Sequence, residues 1–160
     1  MSVVIAIVGA ESTGKTSLAL SLAERLRAEG RSAIAVPELL RHWCEREGRT
    51  PRPDEQAAIA HAQTAAIDAA ARTHDVVICD TTALMTAIYS EYIFKDRSLI
   101  EEGLAFHRRC SLTLLTALDI EWEADGLQRE GPHVRPPIDA LIRAALSQGE
   151  IAWSLVSGQG

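Results

Sequence analysis

Residues 9–16 read Gly-Ala-Glu-Ser-Thr-Gly-Lys-Thr, between the apolar run Val3–Val8 and a stretch with the periodicity of an amphipathic helix. A G-x-x-x-x-G-K-[ST] pattern at a strand-to-helix junction ties the chain to a phosphate-binding loop. Gly9 and Gly14 permit a tight turn, and successive backbone N–H groups then point inward at phosphate oxygens. Lys15 is expected to reach the β- and γ-phosphates, and Thr16 to offer its hydroxyl to Mg²⁺. The implied ligand is ATP with Mg²⁺. Its expected contacts are Gly9, Glu11, Ser12, Thr13, Gly14, Lys15, Thr16 and Ser17.

Strand and helix patterns alternate after this loop, which predicts an α/β fold: a P-loop NTPase three-layer sandwich with a five-stranded parallel sheet and a lid segment. Leu18, Leu22 and Leu26 recur at helical spacing and Gly30 stops that helix. A second strand is expected over 32–36, then a short helix over 38–47. Pro51 and Pro53 break the chain, and Asp54 is expected to cap a long helix over 54–72, with Ile59, Ala66, Ile67 and Ala70 inward.

The β-branched run Val76-Val77-Ile78 leads through Cys79 to Asp80 and predicts a central parallel strand. Leu84, Ile88 and Tyr92 mark the following helix, and Ser98 with Glu101 reads as a capping box ahead of another. A fourth strand is expected over 112–118, a lid over 121–137, a helix over 138–146 and a last strand over 151–156. One domain is expected over 1–160, with a closing helix absent from its end.

Three cysteines without a C-x-x-C pair and five scattered histidines point to reduced thiols and away from a disulfide framework or zinc site. Cys79 reads as core, and the histidines as surface or capping residues. A net charge of −6 argues against non-specific nucleic-acid binding. No signal-peptide pattern and no membrane-spanning run is read, so a cytoplasmic protein is expected.

Asp80, at the end of an apolar strand downstream of the loop, is placed to anchor a nucleotide-bound Mg²⁺ together with Thr16. Glu38 and Arg41 follow the second strand, at the carboxyl edge where parallel sheets hold ligands. There a carboxylate could take the proton of a substrate hydroxyl and an arginine could hold substrate or phosphate. Arg129 and Arg135 in the lid could neutralise charge on a transferring phosphoryl group. Trp122, among Glu121, Glu123 and Asp125, could stack on a flat ring, and Tyr89 and Tyr92 could line a pocket. Asp119 lacks the preceding lysine of an N/T-K-x-D guanine reader, which disfavours guanine.

Taken in order, G-A-E-S-T-G-K-T, Pro37-Glu38-Leu39-Leu40-Arg41, V-I-C-D-T-T with Thr86, Tyr89 and Tyr92 beyond it, and D-I-E-W-E-A-D-G-L resemble the ribosylnicotinamide kinase domain of NadR-type proteins across nearly the whole chain. The resemblance implies ATP-dependent phosphorylation of the 5′-hydroxyl of nicotinamide riboside, giving nicotinamide mononucleotide. Trp122 and Tyr89 would hold the nicotinamide ring, Asp125 or Arg41 the ribose, and Asp80 or Glu38 would be the base. Such domains commonly carry arginine directly after D-G-L; here Gln128 stands there and Arg129 follows. The alternatives are a kinase for another nucleoside or small alcohol, and a regulatory ATP-binding protein with little transfer activity. The partners expected are therefore ATP and a nucleoside-like substrate.

Overall fold

The structure is a computed structural model that describes residues 2–10, 13–118 and 132–157. Its strands are β1 (Val3–Val8), β2 (Ala33–Val36), β3 (Val76–Asp80), β4 (Leu112–Thr116) and β5 (Ser154–Val156). The helices are α1 (Lys15–Ala28), α2 (Leu39–Glu47), α3 (Gln56–Ala71), α4 (Ala83–Phe94), α5 (Ile100–Arg109) and α6 (Arg135–Gln148). The five strands form one parallel sheet in the order β2-β3-β1-β4-β5, the architecture of an α/β P-loop NTPase.

Alternation along the strands explains why both faces of the sheet are covered. Ile7 of β1 and Val76 and Ile78 of β3 pack against α1, which meets them through Ala19 and Ala23. The expected Leu18, Leu22 and Leu26 flank that contact and are only half-buried, because the small alanines let the helix backbone approach the sheet. On the opposite face Val36, Val77 and Cys79 pack against Ile67 of α3 and Phe106 of α5. Val8 and Leu115 lie under α4, α5 and α6, where Leu84, Ile88, Leu104, Ile138 and Ile142 form the largest cluster. Burial of Cys79 pushes its thiol well above the ordinary range, as suits a core residue.

Several boundaries differ from the sequence expectation. Asp54 does not cap the long helix: a single 3₁₀ turn, Pro53–Glu55, precedes α3, and Glu55 is the carboxylate that turns back to the Arg52 N–H at 2.8 Å. Ser98 makes no side-chain cap on α5, whose N-cap is Leu99; the Ser98 N–H instead donates to Asp96 Oδ1 at 2.9 Å. Within the predicted lid, the chain is helical from residue 135 onward. Arg135 opens α6 behind a 3₁₀ turn, Pro132–Val134, and Pro136 and Pro137 sit in the first turn, where a missing N–H costs nothing. No helix among the described residues is long and apolar enough to cross a membrane.

Candidate functional site

Parallel pairing brings the carboxyl ends of β1, β2, β3 and β4 to one edge of the sheet, and the candidate site is built there. Ile7 pairs with Asp80 and Val8 with Leu115, so the loop after β1 emerges between the ends of β3 and β4. Gly14 adopts φ 85° at the N-cap of α1, a left-handed conformation that glycine takes without strain. A Cβ on Gly9 would overlap Thr116 Oγ1, so glycine at the start of the loop is demanded by packing against β4.

Thr116 was not foreseen, and it braces the loop from below. Thr13 Oγ1 donates to Ala10 O at 2.7 Å, so the proton of the Thr116 hydroxyl serves the 2.5 Å contact between the two Oγ1 atoms, with Val8 O 3.4 Å from Thr116 Oγ1. Thr13 is therefore a buried strut of the loop through its side chain, whatever its N–H contacts. Lys15 is buried, and its Nζ donates to Ala10 O at 3.0 Å, back toward the start of the loop. Ser17 faces outward on the first turn of α1. Glu11 and Ser12 lie outside the described residues.

The Thr16 hydroxyl donates to Asp80 Oδ2 at 2.5 Å, across 64 residues of sequence. Burial raises the Asp80 pKa above the ordinary carboxylate value; the Thr16 hydroxyl and the Lys15 and Arg41 charges oppose that rise, and Glu38 adds to it. Glu38 and Arg41 thus act on the same carboxylate as the phosphate-loop lysine. The other oxygen, Asp80 Oδ1, is buried and has no hydrogen-bond partner among the described residues. A buried carboxylate oxygen left open beside a threonine hydroxyl is a hard-oxygen donor set, which fits Mg²⁺.

Glu38 is buried at the N-cap of α2, with extended backbone, and Arg41 is half-buried one turn on. Their position depends on Gln63 of α3, a second residue that sequence reasoning missed. Gln63 Oε1 accepts from the Leu39 N–H at 2.8 Å and Nε2 donates to Pro37 O at 3.1 Å, so one buried amide grips the chain on both sides of Glu38. The glutamine also satisfies an N–H that the first turn of α2 would leave open.

The remaining predicted residues lie on α4, on α6 or outside the described residues. Tyr89 and Tyr92 are half-buried against the α4–α6 core. Arg135 is buried in the first turn of α6, on the helix that inserts Ile138 into that core. Trp122, Asp125 and Arg129, with Gln128 and most of the expected lid, lie outside the described residues. A groove of about 330 Å³ between α2 and α3 is lined by Leu39, Trp43 and Ile59 and includes none of the Asp80 cluster.

His107 departs most from expectation. It is buried, both ring nitrogens are bonded, and desolvation lowers its pKa to about 4.

The AAA domain family profile matches residues 4–160. A crystal structure of NadR protein in complex with NR superposes with a TM-score of 0.77 at 22% identity, over 99% of this chain and 47% of that one. Thymidylate kinase from Ehrlichia chaffeensis superposes with a TM-score of 0.69 at 16% identity, over 99% of this chain and 88% of the kinase. A tRNA dimethylallyltransferase from Clavibacter sepedonicus is 61% identical over 36 residues, 22% of this chain and 12% of that protein. The chain thus spans about half of the NadR protein and a small part of the transferase, and the two structures share its fold.

Proposed function

The chain belongs to the AAA domain family, and from that footing we propose that it is an ATP-dependent small-molecule kinase acting on a nucleoside, with the 5′-hydroxyl of nicotinamide riboside as acceptor and a place in NAD biosynthesis. The observation that carries this reading is that buried Glu38 and half-buried Arg41, following β2 at the carboxyl edge of the sheet, lie near enough to buried Asp80 for their charges to act on its carboxylate. A site that only binds nucleotide has no need of a second, buried acid and an arginine from another strand end. Likeness in fold to a NadR protein whose structure holds NR supports the choice of acceptor.

In this reading the loop N–H groups and Lys15 hold the β- and γ-phosphates, and Thr16 and Asp80 hold Mg²⁺. The ion, when bound, neutralises charge on the phosphate oxygens. Because the Asp80 carboxylate is engaged with Thr16 on the metal side, Glu38 takes the role of base. The acceptor oxygen attacks the γ-phosphorus, its proton passes to the Glu38 carboxylate, and ADP leaves as the bond to the β-phosphate oxygen breaks. Arg41 and Asp125 orient the ribose, Trp122 and Tyr89 hold the ring, and Arg129 and Arg135 offset charge on the transferring group. Positioning and electrostatics supply most of the acceleration, as in phosphoryl transfer generally.

The test is to incubate the purified protein with ATP, Mg²⁺ and a panel of nucleosides and read the products by mass. Phosphorylated nicotinamide riboside supports the reading, and a different phosphorylated nucleoside corrects the acceptor. ATP binding with no product from any acceptor would sink the kinase reading in favour of a regulatory ATP-binding protein. Trp122→Ala is expected to weaken riboside binding and spare ATP binding.

A further inference from the structure

We propose that His107 is a positioning residue for the metal-side carboxylate, acting through Thr82 on the turn that aims Asp80. This rests on the reading of Asp80 and Thr16 as the Mg²⁺ pair. Three consecutive residues form the turn. Asp80 ends β3, Thr81 follows with φ 82°, and Thr82 returns to extended backbone as the N-cap of α4. A β-branched residue at positive φ is strained, and it persists only where its surroundings over-determine it. Two clamps supply that constraint. On one side the Thr81 N–H donates to Ile7 O at 3.0 Å. On the other, the Thr82 hydroxyl lies 2.8 Å from His107 Nε2.

The polarity of the second clamp follows from its partners. Thr82 Oγ1 accepts from the Leu84 N–H at 3.2 Å and is fully buried, so its own proton has the imidazole as its acceptor among the described residues. Nε2 is then unprotonated, and Nδ1–H donates to Thr113 Oγ1 on β4 at 2.9 Å. A neutral imidazole therefore links the N-cap of α4 to the strand beyond β1. Close packing of α5 on α4 sets it there: one helical turn before His107, a Cβ on Gly103 would meet Leu84 Cα at 2.7 Å. Gly103 lets α5 approach the first turn of α4, and His107, four residues on, falls on the same helix face.

Partners that orient a metal ligand typically govern metal affinity by about 10- to 100-fold. The test compares His107→Gln, whose terminal amide reaches the place of Nε2, with His107→Asn, whose amide reaches only that of Nδ1, and with His107→Leu. Two quantities are read well below the melting midpoint: the Mg²⁺ concentration that half-saturates the enhancement of ATP binding, and amide hydrogen exchange at residues 81–84 without nucleotide.

Gln is expected to keep both near wild type. Asn and Leu are expected to raise the Mg²⁺ requirement about tenfold and to speed exchange at the turn. A structural role alone would lower the melting midpoint in all three and leave the Mg²⁺ requirement unchanged. That result, or equal behaviour of Gln and Asn, overturns the proposal. Asp80→Asn is measured alongside: if it raises the Mg²⁺ requirement while His107→Leu does not, the proposal on His107 fails alone. If Asp80→Asn also has no effect, the metal reading fails with it. Should the Leu variant not fold, the Gln and Asn pair decides.

Discussion

Thr16, from the helix after the phosphate loop, donates its hydroxyl proton to Asp80, at the end of β3, across 2.5 Å, while the second oxygen of Asp80 is buried with no hydrogen-bond partner among the described residues. In the proposed reading that arrangement serves a bound cation, and burial of the carboxylate charge costs the ligand-free protein stability. Asp80→Asn removes a buried carboxylate whose charged form burial disfavours. The ligand-free variant is expected to melt higher, by about 3 °C if the relief is about 1 kcal/mol, and to lose Mg²⁺-dependent tightening of ATP binding. Thermal melts with and without Mg²⁺-ATP check both. A lower ligand-free midpoint would show that the carboxylate is a structural element.

Lys15 and Glu38 occupy the two sides of the proposed transfer, and their substitutions separate kinetically. Lys15→Ala is expected to weaken ATP binding and lower the rate about a hundredfold or more, roughly 3 kcal/mol of barrier. Glu38→Gln keeps the shape of the side chain and removes only its basicity. It is expected to lower kcat by about a hundredfold with the ATP dissociation constant unchanged. Steady-state kinetics paired with ATP titrations distinguish them; equal loss of ATP affinity in both would remove Glu38 from the acceptor side.

Gln63→Leu strips two backbone groups of their partner, the Leu39 N–H and the Pro37 carbonyl. Each group left unsatisfied costs about 1–3 kcal/mol, and Glu38 between them loses its fixed direction. The expected result is a lower unfolding free energy together with a fall in kcat/KM for the acceptor, while ATP affinity holds. Gln63→Glu retains the acceptor for Leu39 and sets a carboxylate against the Pro37 carbonyl, so it should recover little. Denaturant melts and acceptor kinetics on the two variants provide the check.

Local signals were legible in the sequence and distant ones were not. The phosphate loop, the parallel sheet and Asp80 follow from a contiguous motif and from period-2 and period-3.6 patterns, which a chain displays without folding. Thr116, Gln63 and His107 carry no such mark. Thr116 meets Thr13 across 103 residues, Gln63 meets Leu39 across 24 and His107 meets Thr82 across 25. Each became informative only when packing placed a polar side chain in a dry interior, where it must be bonded. The scattered histidines read as surface for the same reason, since sequence spacing does not reveal a buried imidazole between two threonines.

Gly9 and Thr116 are coupled by sterics. Gly9→Ala is expected to push β4 from the loop and to weaken ATP binding, because a Cβ there overlaps Thr116 Oγ1. Thr116→Ala removes that atom and also the brace on Thr13. The double variant should therefore bind ATP better than the sum of the two single losses predicts, by at least about 1 kcal/mol of coupling. Strict additivity in a double-mutant cycle would show that Thr116 and the loop are independent.

The buried His107 ties stability to pH with a definite sign. Its folded pKa, lowered to about 4 by desolvation from the ordinary 6.5, means that the unfolded chain binds a proton first. Its contribution is complete above about pH 6.5 and is lost as pH falls toward 4, where a shift of this size corresponds to about 3 kcal/mol. Among the described residues two carboxylates change in or near that range, and a third, Asp96, lowered by its bond from the Ser98 N–H, changes only below its ordinary 3.8. Asp80, raised by burial, binds its proton earlier in the folded state and so opposes the loss. Glu55, lowered to about 2 chiefly by its bond from Arg49, adds a loss that sets in below its ordinary value of 4.5 and falls mainly under the His107 window. Subtracting the His107→Gln profile from wild type cancels all three. Urea melts from pH 7 to pH 4 should then show wild type losing stability faster than the variant, by up to one proton's slope. Parallel profiles would mean that His107 takes up its proton at the same pH in the folded protein as in the unfolded chain.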